Sequence, residues 1–139
     1  MFGRRLFVGR TARTGEAGLR ALDEAVCPFG YAVVPVRVEG CLHLKTACAA
    51  VDDETLLVNR AWIDTNAFAG LRLIDVPAEE PMGANVLRLP GAVAVSAAYP
   101  RTADLVRGLG HPVTVLDISE LHKAEAGLTC MSLLFERRG

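Results

Sequence analysis

ANVLRLPGAVAVSAAYPRTADLVRGLGHPVTVLDI, residues Ala84 to Ile118, is the stretch from which the rest of the chain can be read. The apolar run ANVLRL meets a Pro-Gly turn and is followed by a second run, AVAVSA. An amphipathic stretch, PRTADLVRGLG, then leads into PVTVLDI. Pro100 at the first helical turn and Gly110 after the last periodic residue are the start and stop signals of a helix. The order is therefore strand, strand, helix, strand. It occurs earlier as well: LHLKTACAAV (Leu42 to Val51), the turn DDE, TLLVN, a helix-like segment over Ala61 to Gly70, and LRLIDVP. A period of roughly 40 residues points to an α/β repeat architecture, in which each unit needs neighbours to cover its apolar face.

The ends carry incomplete units. RLFVG, GEAGLRALDEAV and YAVVPVRV form a unit without its first strand, and LTCMSLLF near the C-terminus reads as a first strand without the rest. Either the last strand closes the first unit into a small ring, leaving no open edge, or the chain is part of a longer protein.

With 139 residues, the chain has the length of one domain with a core of its own. Hydrophobic residues make up 51% and charged residues 22%, which excludes the profile of a disordered chain. Fifteen basic and sixteen acidic residues leave a net charge of -1, so no overall field would gather nucleic acid or an anionic membrane. The start, MFGRRLFVGRTART, lacks the apolar stretch of a secretory signal, and the expected location is cytoplasmic. Cys27, Cys41, Cys48 and Cys130 are then expected as reduced thiols. Cys41-x-His43-x4-Cys48 matches no usual zinc spacing, and no metal is expected. GRTARTG lacks the Gly-Lys-Ser/Thr ending of a phosphate loop, so neither a nucleotide nor any other cofactor is expected. Trp62 and Phe68 are placed in the core.

Three loops precede first strands: VEGCLHLK (Val38 to Lys45), PAEEPMGAN (Pro77 to Asn85) and SELHKAEAGLTC (Ser119 to Cys130). In a circular arrangement they gather at one end of the axis, where loops on a rigid scaffold carry function. His43 and Cys130 hold matching places, each at the head of a first strand. A cysteine attacks as thiolate, and a nearby imidazole favours that form. Taken singly, each reads first as scaffold, a buried apolar thiol and a hydrogen-bonded loop imidazole; it is their pairing that points to chemistry.

VGRTART (Val8 to Thr14), GCLHLKT (Gly40 to Thr46), GANVL (Gly83 to Leu87), YPRT (Tyr99 to Thr102) and GLTCMSLLF (Gly127 to Phe135) together resemble the C-terminal half of the dimethylarginine dimethylaminohydrolases. These enzymes sit in the guanidine-modifying superfamily with arginine deiminases and amidinotransferases. The resemblance implies a five-bladed α/β propeller of ββαβ units, the pentein fold, of which residues 1–139 form about half as one partial domain. It implies a thiol-dependent hydrolase that converts a methylated arginine to citrulline and an alkylamine. Cys130 would be the nucleophile and form a covalent S-alkylthiouronium, with His43 as general acid and then general base. Arg13 would hold the substrate α-carboxylate, with Arg10 as the alternative. Glu125 would bind the substrate amino or guanidinium group, or else be a solvated loop carboxylate.

In the family, an acidic Glu-Gly-Gly-Asp-like segment precedes the point where this sequence starts, and Met1 to Gly3 read as an internal start in a longer frame. Glu39, Glu79 and Glu80 are the nearby loop carboxylates. The alternatives are deiminase or amidinotransferase chemistry on the same scaffold, and a catalytically incompetent half-propeller that acts as a homo-oligomer or with a complementing chain.

Overall fold

The computed structural model describes residues 2–135. Strand β1 (Arg5–Arg10), helix α1 (Glu16–Val26) and strand β2 (Ala32–Arg37) form a two-stranded parallel sheet with a helical crossover. A helical turn α2 (Leu44–Ala47) leads into β3 (Cys48–Ala50), β4 (Thr55–Val58) and β5 (Arg72–Asp75). In this second sheet β3 pairs antiparallel with β4, and β4 parallel with β5. The third sheet repeats the pattern with β6 (Leu87–Leu89), β7 (Ala92–Ser96), helix α3 (Pro100–Gly108) and β8 (Val113–Leu116). A last helical turn, α4, spans Ser119–His122.

The α/β repeat expected from the sequence is thus present, with four local corrections. Leu42 does not open a strand, because residues 44–47 coil into a turn of helix before the short β3 begins. The expected helix over Ala61 to Gly70 is a 3-10 turn at Thr65–Phe68, capped by the Asp64 side chain, which accepts from Asn66 N at 3.0 Å. Part of the third loop, read as irregular, is α4. Finally, LTCMSLLF is not a strand: residues 128–131 are turn, and residues 132–135 pair with no strand among the described residues. The closed small ring is therefore not formed, since β1 pairs only with β2 among the described residues.

The core explains the order. All four residues of β4 are buried, and period-two alternation sends Leu56 and Val58 into one cluster and Leu57 into another. The first cluster joins sheets one and two through Val36, Cys48, Ile63 and Phe68, with Trp62 packed against it. The second joins sheets two and three through Val51, Val86, Val93, Val95, Ala103 and Val106.

Two acids, buried Glu80 and half-buried Asp52, lock the frame. Glu80, from the loop before β6, accepts from Arg101 N at 2.8 Å, from Thr102 N at 2.7 Å and from Thr102 Oγ1 at 2.7 Å. It thereby supplies the cap that Tyr99 at the N-terminus of α3 does not, while Pro100 needs no donor. Gly83 must lack a side chain because a Cβ there would strike Thr102 Oγ1. Replacing Glu80 by alanine strands these donors, and we expect a loss of about 3 kcal/mol in urea unfolding.

Asp52 ties the β3–β4 turn to His111, with Nε2–Oδ2 at 3.1 Å. Burial works against its charge, but the N–H groups of Glu54 and Thr55, at 2.8 and 2.6 Å, together with His111 outweigh it and hold the carboxyl below its usual range. A depressed folded value stabilises above the unfolded carboxylate value of about 3.9, and that stability is lost as pH falls through the folded value. Urea midpoints should therefore drop more steeply below about pH 4 in the wild type than in Asp52→Asn, which should already be less stable at neutral pH.

Candidate functional site

Strands β2, β5 and β8 each end in a loop that leads back to a first-strand position. Hydrogen bonds knit these three loops together. Asn59 Nδ2, after β4, donates to Pro81 O in the second loop at 3.0 Å. Asn85, at the end of that loop, accepts on Oδ1 from both Thr129 N and Thr129 Oγ1 in the third, each at 3.1 Å. Lys45 Nζ, two residues after His43, donates to Thr129 O at 3.2 Å. The segment bearing His43 and the segment bearing Cys130 are therefore bonded neighbours, although 87 positions separate the two residues (130 minus 43).

Glycine sets the approach in each loop. A Cβ on Gly40 would strike the Trp62 indole, one on Gly83 the Thr102 hydroxyl, and one on Gly127 the Asn85 amide. Aligned on these glycines, GCLHL, GANVL and GLTCM are three copies of one segment, with His43, Val86 and Cys130 at the same place. That alignment is the signal by which Asn85 and Thr129 could have been found from sequence, since both fall two residues after the glycine.

His43 is the N-cap residue of α2, and its side chain is exposed. Cys130 is also exposed, in the turn that follows the buried Leu128, so the reading of Cys130 as core filler is corrected. Arg13 lies in the tight turn after β1, where its backbone N–H donates to Thr11 Oγ1 at 3.2 Å and its side chain is exposed. This turn leaves β1 at the sheet end where β2 also finishes, since Arg10 registers with Arg37. Arg10 is occupied by Glu16 at 3.0 Å, whereas Arg13 has no carboxylate partner among the described residues. Glu125 is exposed and holds a positive φ of 56°, a left-handed conformation unusual outside glycine. No described hydrogen bond connects Arg13 or Glu125 to His43 or Cys130.

Other acids are spoken for. Glu39 pairs with Arg37, Glu79 with Arg101 at 2.9 Å, and Glu120 with Lys123 at 2.7 Å. Asp117 caps α4 through Ser119 N at 2.9 Å. A groove of about 1070 Å³ lies at the β3–β4 and β6–β7 turns, lined also by Leu134 and Phe135, and its charged groups pair as Arg88–Asp53 and His111–Asp52.

No family model matches the chain. A curated protein from Pseudomonas aeruginosa, N(G),N(G)-dimethylarginine dimethylaminohydrolase, is 34% identical over 97% of this chain and 53% of its own. One of the same name from Streptomyces coelicolor is 38% identical over 94% of this chain and 50% of its own. The chain is similar to these dimethylarginine dimethylaminohydrolases. It spans about half the length of the curated relatives it matches. A solved dimethylarginine dimethylaminohydrolase from P. aeruginosa, a cysteine-to-serine variant complexed with citrulline, aligns at a TM-score of 0.88 and 33% identity, over 97% of this chain and 53% of that one. An inosamine-phosphate amidinotransferase from Streptomyces griseus, 20% identical over 99% of this chain and 45% of its own, shares the fold at a TM-score of 0.85. No helix among the described residues is long and apolar enough to cross a membrane.

The four thiols are free and differ in setting. Burial pushes Cys48 up to about 12, and it raises Cys41 as well. Cys27 and Cys130 are exposed. Brief alkylation of the native protein near pH 8, read by peptide mass spectrometry, should label Cys27 and Cys130 and leave Cys48 intact.

Proposed function

We propose that the chain carries the nucleophile-bearing part of a dimethylargininase-like hydrolase, built as a portion of a five-bladed α/β propeller. The observation that carries the reading is the 0.88 match to a citrulline-bound hydrolase over nearly the whole chain. A second solved relative, a histidine-to-glycine variant as an adduct with S-methyl-L-thiocitrulline, also aligns at a TM-score of 0.88. Ligand-bound variants of one cysteine and one histidine in those proteins support Cys130 and His43 as the reacting pair here.

In this reading the Cys130 sulfur attacks the guanidinium carbon of a methylated arginine. The C–N bond to the alkylamine breaks, and His43 gives the amine its proton. Water, deprotonated by His43, then attacks the thiouronium carbon, expelling the thiolate and leaving citrulline. Arg13 is proposed to grip the α-carboxylate with its planar fork, because Arg10 is occupied by Glu16. Glu125 is the third-loop acid without a described partner, which favours it as the contact to a cationic group of the substrate. A guanidinium desolvated with nothing to pair against binds poorly, so this carboxylate bears on affinity.

Citrulline release from asymmetric dimethylarginine tests the reading. Cys130→Ser and His43→Gly should each lower the rate by about a thousandfold or more. Equal rates in wild type and Cys130→Ser would overturn it. A panel with unmodified arginine separates the deiminase alternative, which would release ammonia, and an amino acceptor separates amidino transfer. One observation favours the non-catalytic reading: Met131, Leu133, Leu134 and Phe135 are exposed, at 61, 84, 56 and 81%. Apolar surface of this kind fits a second copy or a complementing chain. A compact monomer in sedimentation velocity would count against that alternative.

A further inference from the structure

We propose that Asn85 is a positioning residue for Cys130, acting through Thr129. The assignment rests on Cys130 being the nucleophile proposed above. Cys130 itself is exposed, and its own backbone makes one described contact, N to Gly127 O at 3.2 Å. Its place is therefore determined by the three residues before it, and all three are docked. Gly127 lies against the Asn85 amide with no room for a Cβ. Leu128 is buried to 6% exposure. Thr129 gives both its N–H and its hydroxyl to Asn85 Oδ1.

Asn85 can act as a fixed anchor because it is itself immobile. Its neighbours Ala84 and Val86 are 0 and 1% exposed in the core between sheets two and three, and its own N–H donates to Met82 O at 3.0 Å. One buried acceptor that takes two donors from a single residue fixes both the height and the rotation of that residue. The bond joins equivalent places of two repeats, each two residues after the glycine, so it registers the third copy of the segment against the second. Lys45 completes the strap by holding Thr129 O from the His43 side. Released from Asn85, the Thr129–Cys130 peptide keeps the exposed lysine contact and the bond from Cys130 N to Gly127 O inside its own turn, neither of which ties it to the buried core, and the thiol leaves the neighbourhood of the His43 segment.

The test uses the full chain and iodoacetamide, with peptide-resolved mass spectrometry. Cys27, exposed and remote in sequence, is the internal reference, and buried Cys48 reports unfolding. In Asn85→Leu the Cys130/Cys27 labelling ratio should fall about fivefold with Cys48 still protected. Asn85→Asp keeps the acceptor oxygens and should restore the ratio to within about twofold of wild type, a rescue that lost packing would not show. Thr129→Val, which removes only the hydroxyl donor, should give a smaller fall. An unchanged ratio in Asn85→Leu, or failure of Asn85→Asp to rescue with Cys48 protected, overturns the proposal. If Asn85→Leu exposes Cys48, Thr129→Val decides alone: a fall supports the assignment and no change overturns it. The readout needs no turnover, so a failure of citrulline release and a failure of positioning are told apart.

Discussion

Strand β4 has no solvent face. Leu56 and Val58 close against the first sheet and Leu57 against the third, so the middle sheet can be covered only by a similar unit on each side. This is the constraint from which the rest follows. A strand buried on both faces cannot slip by one residue without exchanging its two cores, and the register of β3 and β5 is pinned with it. Once the sheets are fixed, the ends of β2, β5 and β8 deliver their loops in turn, and chemistry can be assembled from residues remote in sequence.

The loops are held by polar contacts that the apolar pattern does not encode. Glu80 turns a loop acid into the cap of α3, and that cap sets where Tyr99 stands, 5.8 Å from the His122 ring of α4. The third loop is thereby fastened at two points, at Tyr99 through α4 and at Asn85 through Thr129. Between them lies Glu125 in its left-handed conformation. The stretch that leads to Cys130 is thus firmly held, while the thiol itself faces solvent.

The two ends of the repeat array differ in character. At one, His43, Cys130 and the turn of Arg13 expose reactive or cationic groups. At the other, the turns of β3–β4 and β6–β7 line the wide groove, but each of its charges is matched, so it offers shape without unsatisfied charge.

Much of this was legible in the residues. Alternation, the Pro-Gly turn and the Pro100 to Gly110 signals determined the ββαβ order, because strand and helix periods are local properties of the chain. Gly40, Gly83 and Gly127 recur at one place of the three loop segments, and the structure packs each against a side chain, of Trp62, Thr102 and Asn85. LTCMSLLF misled because an apolar run says what a segment prefers to bury and not whether a partner strand is there. The tertiary structure alone decided that residues 128–131 turn, that Arg10 is taken by Glu16, and that Glu80 is a cap. It alone decided that Thr129 is gripped by a residue 44 positions away. Hydrogen bonds and ion pairs between distant residues depend on where the whole chain has put them, and no local pattern carries that distance.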